Sequence, residues 1–141
     1  MASLSLLFTY GSLKKEGSNH ELIAGANYLG RFFTKENYVL LPGPGFPYLL
    51  KPDQFPERPA LKVSGECHLI NSKMLEATDH LEANGIFYQR EEINVLSQAT
   101  AEEQVAWAYF LRDVKFADAE SFATDISKVF NSRTQKYEWR C

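Results

Sequence analysis

Among the titratable residues of this chain, Glu82 stands in the setting most suited to proton transfer. The pattern from Asn71 or Ser72 to about Ala83 predicts a helix, with Met74, Thr78 and Leu81 on one face and Leu75, Asp79 and Glu82 on the adjoining one. Glu82 therefore falls in the last turn, where the helix end carries partial negative charge and disfavours a carboxylate. Asp79, one turn earlier, adds a like charge. Both effects, and any burial, raise a carboxyl pKa towards the range useful for general acid/base work. The alternative for this residue alone is a solvated surface Glu. The second stretch with chemical potential is Tyr10-Gly11-Ser12-Leu13-Lys14-Lys15, just after the apolar run Leu4 to Phe8. A glycine directly after a strand lets the backbone turn through torsions closed to other residues. Successive N–H groups in such a turn can cradle a carboxylate or phosphate.

The elements that must position these two stretches follow from periodicity. Leu4 to Phe8 reads as a buried strand, and Ser18 with Glu21 forms a capping-box signature for a helix from about His20. Strands are predicted over Tyr28 to Phe33, Tyr38 to Leu41 and Leu61 to Ile70, with Gly65 marking a bulge or a close backbone approach. All six prolines lie between Pro42 and Pro59, which leaves room for a short edge strand over 45–50 and otherwise a stiff loop. Asn84-Gly85 ends the Glu82 helix. Phe87 to Ser97 and Val105 to Leu111 then read as an antiparallel pair across the polar turn 98–103. Asp118 is the expected cap of a last amphipathic helix with Phe122, Ile126, Val129 and Phe130 on one side, followed by a polar tail. The expected fold class is α+β: a small, mostly antiparallel mixed β-barrel with flanking helices, in a single domain over residues 1–141.

Composition narrows the function further. A chain of 141 residues with 45% hydrophobic content is long enough to bury a core. With a formal net charge of −3 and no cluster of Lys or Arg, neither nucleic acid nor a membrane is expected as a partner. Two cysteines, Cys67 and Cys141, make no disulfide framework, and His20, His68 and His80 show no metal-ligand spacing, so no metal centre is expected. The N-terminus lacks a basic stretch followed by a long apolar one, so a cytoplasmic location without a signal peptide or membrane span is expected.

Taken together and in order, several stretches resemble the γ-glutamyl cyclotransferase-like family. Tyr10-Gly11-Ser12-Leu13-Lys14-Lys15 followed by Asn19-His20 resembles that family's signature loop. Val63-Ser64-Gly65-Glu66, Met74-Leu75, Asp79-His80-Leu81-Glu82 and Tyr88-Gln89-Arg90 resemble its second motif. The likeness runs over about residues 5 to 112, and the spacing from the acid to Tyr-x-Arg is most similar to the γ-glutamylamine cyclotransferase branch. Segment 34–60 and the C-terminal helix match loosely.

The resemblance implies an enzyme in which the α-amine of a γ-glutamyl group attacks its own γ-carbonyl, leaving 5-oxoproline and a free amine. It implies Glu82 as the catalytic acid/base, a substrate loop made of Tyr10, Gly11, Ser12 and Leu13, and no cofactor. Tyr10, Phe87 and Tyr88 are candidate pocket walls, and Tyr88 a substrate contact. His20 is expected to support the loop through the backbone, Arg90 to pair with a carboxylate such as Glu66, and Cys67 to be a small buried residue. The expected partner is a small γ-glutamyl substrate, with no obligate protein partner evident. Two rivals stay open: a cyclotransferase for γ-glutamyl-amino acids or glutathione, which needs a cation at the pocket mouth (Arg58, Lys51 or Arg112), and an inactive small-ligand binding module.

Overall fold

Short β-rich runs separated by turn residues close here into a five-stranded barrel. The computed structural model describes all residues except 1–3, 12, 16, 18, 44–45, 118–125 and 140–141. The barrel strands are β1 (Leu4–Thr9), β2 (Asn27–Thr34), β5 (Ser64–Asn71), β6 (Tyr88–Ser97) and β7 (Glu103–Leu111), in the spatial order β1-β5-β2-β6-β7. Every pairing is antiparallel except the closing one, where β1 and β7 run parallel through Leu7 and Trp107. That parallel seam brings the end of β1, and hence the Tyr10 stretch, beside β7.

Side-chain alternation builds two apolar clusters on opposite faces of the strands. Phe8, Phe32, Cys67, Ile93, Val95, Ala106, Ala108 and Phe110 belong to one. Leu7, Ile70, Tyr88, Tyr109 and Leu111 belong to the other, against which Met74 and Leu75 pack from helix α1 (Ser72–Leu81). Cys67 is fully buried, and burial pushes its thiol pKa upward, as suits a small core residue.

Gly65 is a close approach rather than a bulge. A Cβ there would lie 2.4 Å from the Thr9 carbonyl oxygen and 2.7 Å from Phe8 Cζ, so the glycine makes room for the Phe8 ring at the end of β1. The register slip in this sheet is instead between Tyr28 and Gly30 on β2.

The strand expected over Tyr38 to Leu41 and the short one allowed within the proline-rich stretch pair with each other. β3 (Val39–Pro42) and β4 (Pro47–Leu50) form a buried hairpin in register Val39↔Leu50 to Pro42↔Pro47. Its prolines stand at the strand ends facing the turn, where few ladder N–H donors are needed.

Two expected helices differ. The first is one 3-10 turn, His20–Ile23, preceded by Asn19 without a side-chain cap bond; Ser18 lies outside the described residues. The turn ends at the C-cap Ala24, and β2 begins at Asn27, so no longer helix follows His20. For the last helix, Asp118 and Phe122 lie outside the described residues, while Ile126–Lys128 is a 3-10 turn and Val129 leaves it. Phe130 belongs to a two-residue strand, β8 (Phe130–Asn131), paired with β9 (Lys136–Tyr137). The tail is anchored because Tyr137 is fully buried, its N–H donating to Lys62 O at 2.9 Å and its hydroxyl to Pro59 O at 2.6 Å. Among the described residues one α-helix accompanies the barrel, and no helix there is long and apolar enough to cross a membrane.

Candidate active site

Helix α1 delivers Glu82. Asn71 caps its start, accepting the Met74 N–H at 2.8 Å. The helix stops at Leu81, two residues before the expected end; Glu82 is its C-cap, and its N–H donates to Thr78 O at 2.9 Å. Ala83 then takes a left-handed turn at φ 47°, which a glycine would adopt with less strain. The 82–88 turn is tied by Phe87 N–H to Ala83 O at 3.0 Å, Gly85 N–H to Tyr88 O at 2.8 Å and Tyr88 N–H to Glu82 O at 3.3 Å. Glu82 and Tyr88 are therefore held by one backbone unit.

A side-chain latch fixes the turn of α1 just before Glu82. The Tyr109 hydroxyl donates to Asp79 Oδ1 at 2.6 Å and shares a 2.8 Å hydrogen bond with the buried Thr78 hydroxyl. Arg90 Nε stands 3.4 Å from the same Asp79 oxygen, with its guanidinium carbon 4.3 Å from the Trp107 ring centre. Arg90 is thus paired with Asp79 and not with Glu66, which accepts the Lys15 N–H at 2.6 Å. Tyr109→Phe leaves Asp79 and Thr78 short of a buried partner. It should cost about 1–3 kcal/mol of stability, read as a lower urea midpoint at unchanged slope.

The loop after β1 faces this turn. The Tyr10 hydroxyl donates to the Tyr109 carbonyl, so one residue of β7 holds both sides of the site. Lys14 N–H donates to Gly11 O at 3.0 Å, His20 Nδ1 lies 3.1 Å from Leu13 O, and Lys14 Nζ reaches Trp139 O at 2.7 Å. His20 supports the loop through the backbone, as expected. Gly11 lacks the expected turn torsion: its φ is outside the left-handed region, where Gly30 and Gly85 are the glycines found among the described residues. The glycine is required because a Cβ would lie 2.8 Å from Pro47 Cδ and 3.0 Å from its Cγ. The Tyr88 hydroxyl donates to the carbonyl of that same Pro47 at 2.9 Å.

Between loop and turn lies a pocket of about 260 Å³. Tyr10, Gly11, Leu13, Glu82 and Tyr88 all line it; Ser12 lies outside the described residues. Sequence reasoning missed Phe46, Pro47 and Tyr109, which also line it. For the first two the only signal was an aromatic inside a proline-rich stretch, and for Tyr109 its alternation with Trp107. Glu82 is the one charged side chain in the lining among the described residues.

Burial pushes the Glu82 carboxyl up from 4.5 to about 7. Asp79 is not the cause expected from its spacing, because its charge is turned to Arg90 and Tyr109. Burial first, and then the nearby Glu82 charge, holds the Tyr88 phenol far above its ordinary value; burial does the same for Tyr10, with Tyr88 and Glu82 adding to it. Both remain neutral hydroxyls at working pH. The site thus pairs one carboxyl that titrates near neutrality with two neutral phenols and a glycine-bearing loop. That set can move a proton on and off a bound amine without a second titrating group.

The gamma-glutamyl cyclotransferase, AIG2-like family model matches residues 7–127. The chain is 28% identical over 108 residues to the protein named "Putative gamma-glutamylcyclotransferase" of Methanocaldococcus jannaschii, covering 76% of this chain and 84% of that one. It is 35% identical over 96 residues to gamma-glutamylaminecyclotransferase C of Danio rerio, covering 63% of this chain and 60% of that one. The crystal structure of an AIG2-like protein from Mus musculus superposes with a TM-score of 0.69 over 97% of both chains at 21% identity, which shows the shared fold. With 121 consecutive residues matched, from the end of β1 to beyond β7, the chain belongs to the gamma-glutamyl cyclotransferase, AIG2-like family.

Proposed function

We propose that this protein is a γ-glutamylamine cyclotransferase, in which Glu82 carries the proton and the 10–13 loop holds the glutamyl end of the substrate. The observation that carries the reading is the lone charged group in the pocket lining among the described residues: Glu82, raised to about 7 and facing the loop.

The substrate's α-ammonium gives a proton to the Glu82 carboxylate. The freed nitrogen lone pair then forms a bond to the γ-carbonyl carbon. The tetrahedral intermediate collapses with cleavage of the bond to the leaving nitrogen, which takes the proton back from Glu82. The ring nitrogen gives its second proton to the Glu82 carboxylate so regenerated, which passes it to the released amine; the products are 5-oxoproline and an ammonium ion, and the enzyme ends in the state in which it began. Tethering of the amine removes the entropy of bringing reactants together, worth up to roughly 7–11 kcal/mol in favourable cases. A base matched to neutral pH is more effective than a carboxylate at about 4.3. Backbone N–H groups of the loop are the donors assigned to the α-carboxylate and the developing oxyanion.

The choice of an amine over an amino acid as leaving group rests on charge. A leaving amino acid brings a carboxylate that needs a cation, and no Lys or Arg lines the pocket among the described residues. Lys51 is paired with Glu91 at 2.8 Å, Arg112 donates to the carbonyls of Gly85 and Ile86, and Arg58 is not in the lining.

A matched pair of substrates tests this: γ-glutamyl-propylamide and γ-glutamyl-2-aminobutyrate differ by that one carboxylate. The propylamide should release 5-oxoproline with kcat/KM at least about 10-fold higher. Equal or reversed rates would assign the amino-acid reading, and 5-oxoproline from neither would assign a binding module.

A further inference from the structure

Part of the pocket wall, supplied by the β3–β4 hairpin, the end of α1 and the turn after it, is built of apolar side chains. Phe46, Leu81, Ala83 and Phe87 line it. Its rings brace one another. Phe46 stands edge-on to Tyr48 with ring centres 5.5 Å apart, and Phe87 lies near-parallel to both Tyr48, at 6.1 Å, and Tyr88, at 5.1 Å. Phe116 leans on Phe87 at 5.8 Å. Apolar surface continues outward: Leu81 is 40% exposed, Phe116 44% and Ile86, beside Phe87 in the same turn, 72%. Exposed apolar groups clustered at the rim of a pocket are one mark of a ligand-binding groove.

We infer that this wall is the leaving-group subsite and that it selects γ-glutamyl conjugates of apolar, aromatic-bearing amines over those of short alkyl amines. The inference rests on the cyclotransferase reading above. Among the described residues the pocket lining offers a second cationic group in the leaving amine no counter-charge, since Glu82 is engaged with the α-amine and Asp79 with Arg90. A short alkyl amine leaves the ring wall wet. An aryl group covers it and stacks on rings already held in place by their neighbours, so little ordering is spent on binding.

The test compares γ-glutamyl-phenethylamide with γ-glutamyl-ethylamide by release of 5-oxoproline, in the parent protein and in Phe87→Ala and Leu81→Asn. The parent should favour the phenethylamide by at least about 10-fold in kcat/KM. Each variant should bring that ratio down, Phe87→Ala to within about threefold. Both substrates report on the same active fraction, so partial misfolding of a variant does not disturb the ratio. Leu81→Asn alters a residue that is already partly exposed, and it keeps the test open should Phe87→Ala fail to fold. A parent ratio near one, or a high ratio unchanged in the variants that fold, would overturn the inference and leave the cyclotransferase reading intact. Release of 5-oxoproline from neither substrate would overturn both.

Discussion

Glu82→Gln should lower turnover by roughly 10²–10⁴-fold or more, because in the proposed reaction one carboxyl serves both the deprotonation of the attacking amine and the protonation of the leaving one. The amide keeps the shape and hydrogen-bonding reach of the side chain but cannot take up a proton. Binding of 5-oxoproline, measured by calorimetry, should survive. In the parent, kcat/KM should decline on the acid side of about 7, where Glu82 becomes protonated in the free enzyme and can no longer act as a base.

Stability carries an independent signature of the same carboxyl. Its folded pKa lies above the ordinary value, so the folded state binds the proton more tightly than the unfolded chain does between about 4.5 and 7. Stability therefore falls as pH rises through that window, and the cost of the buried charge is fully present above it. Glu82→Gln removes that cost. The variant should be more stable than the parent by roughly 1–3 kcal/mol at pH 8, allowing for partial solvent access, with the gap closing by pH 4.5. A folded Gln variant that makes 5-oxoproline at near the parent rate would sink the assignment of the proton carrier.

What the chain's own pattern disclosed and what it withheld divide along the range of the interactions involved. Several local signals held: Asn71 caps α1, the β6–β7 pair follows the alternation of Tyr88 to Leu111, and Glu82 ends its helix. The reason for Glu82's raised pKa was not local. Spacing alone set Asp79 beside it as a repelling charge, whereas Arg90 and Tyr109, from two other strands, take up that charge and leave desolvation as the cause. Tyr109 was hidden for the same reason, since an alternating strand residue gives no hint that its hydroxyl and its carbonyl each secure one side of a pocket. Non-local burial also decided the C-terminal segment. Tyr137, polar in its neighbourhood, is drawn under Pro59 and Lys62, and the chain around Val129 and Phe130 turns into a hairpin instead of continuing as a helix.

Gly11→Val should abolish most activity, and the structure changes the reason for expecting it. A left-handed torsion at this position would make any non-glycine residue strained, with Ala and Val alike penalised whatever surrounds them. The observed constraint is steric: the Pro47 ring occupies the place of a Cβ, at 2.8 Å. Pro47 cannot yield cheaply, because its ring is closed onto its own backbone, it pairs with Pro42 at the hairpin end, and its carbonyl accepts the Tyr88 hydroxyl. A side chain at 11 therefore pushes the substrate loop away from Glu82 or drags Pro47 and Tyr88 with it. Either movement misplaces groups proposed to hold the substrate, and a displacement of about 1 Å can cost 100-fold in rate. Gly11→Ala should lower kcat/KM about 10-fold and Gly11→Val at least about 100-fold, both with the barrel still folded by circular dichroism. Steric and torsional causes part at the double variant. Shortening the obstacle in Gly11→Ala/Pro47→Ala should recover part of the activity lost in Gly11→Ala, which relief of a torsion would not do. Parent-like turnover in Gly11→Val would show that the loop does not hold the substrate, and a double variant no better than the single would return the cause to the backbone.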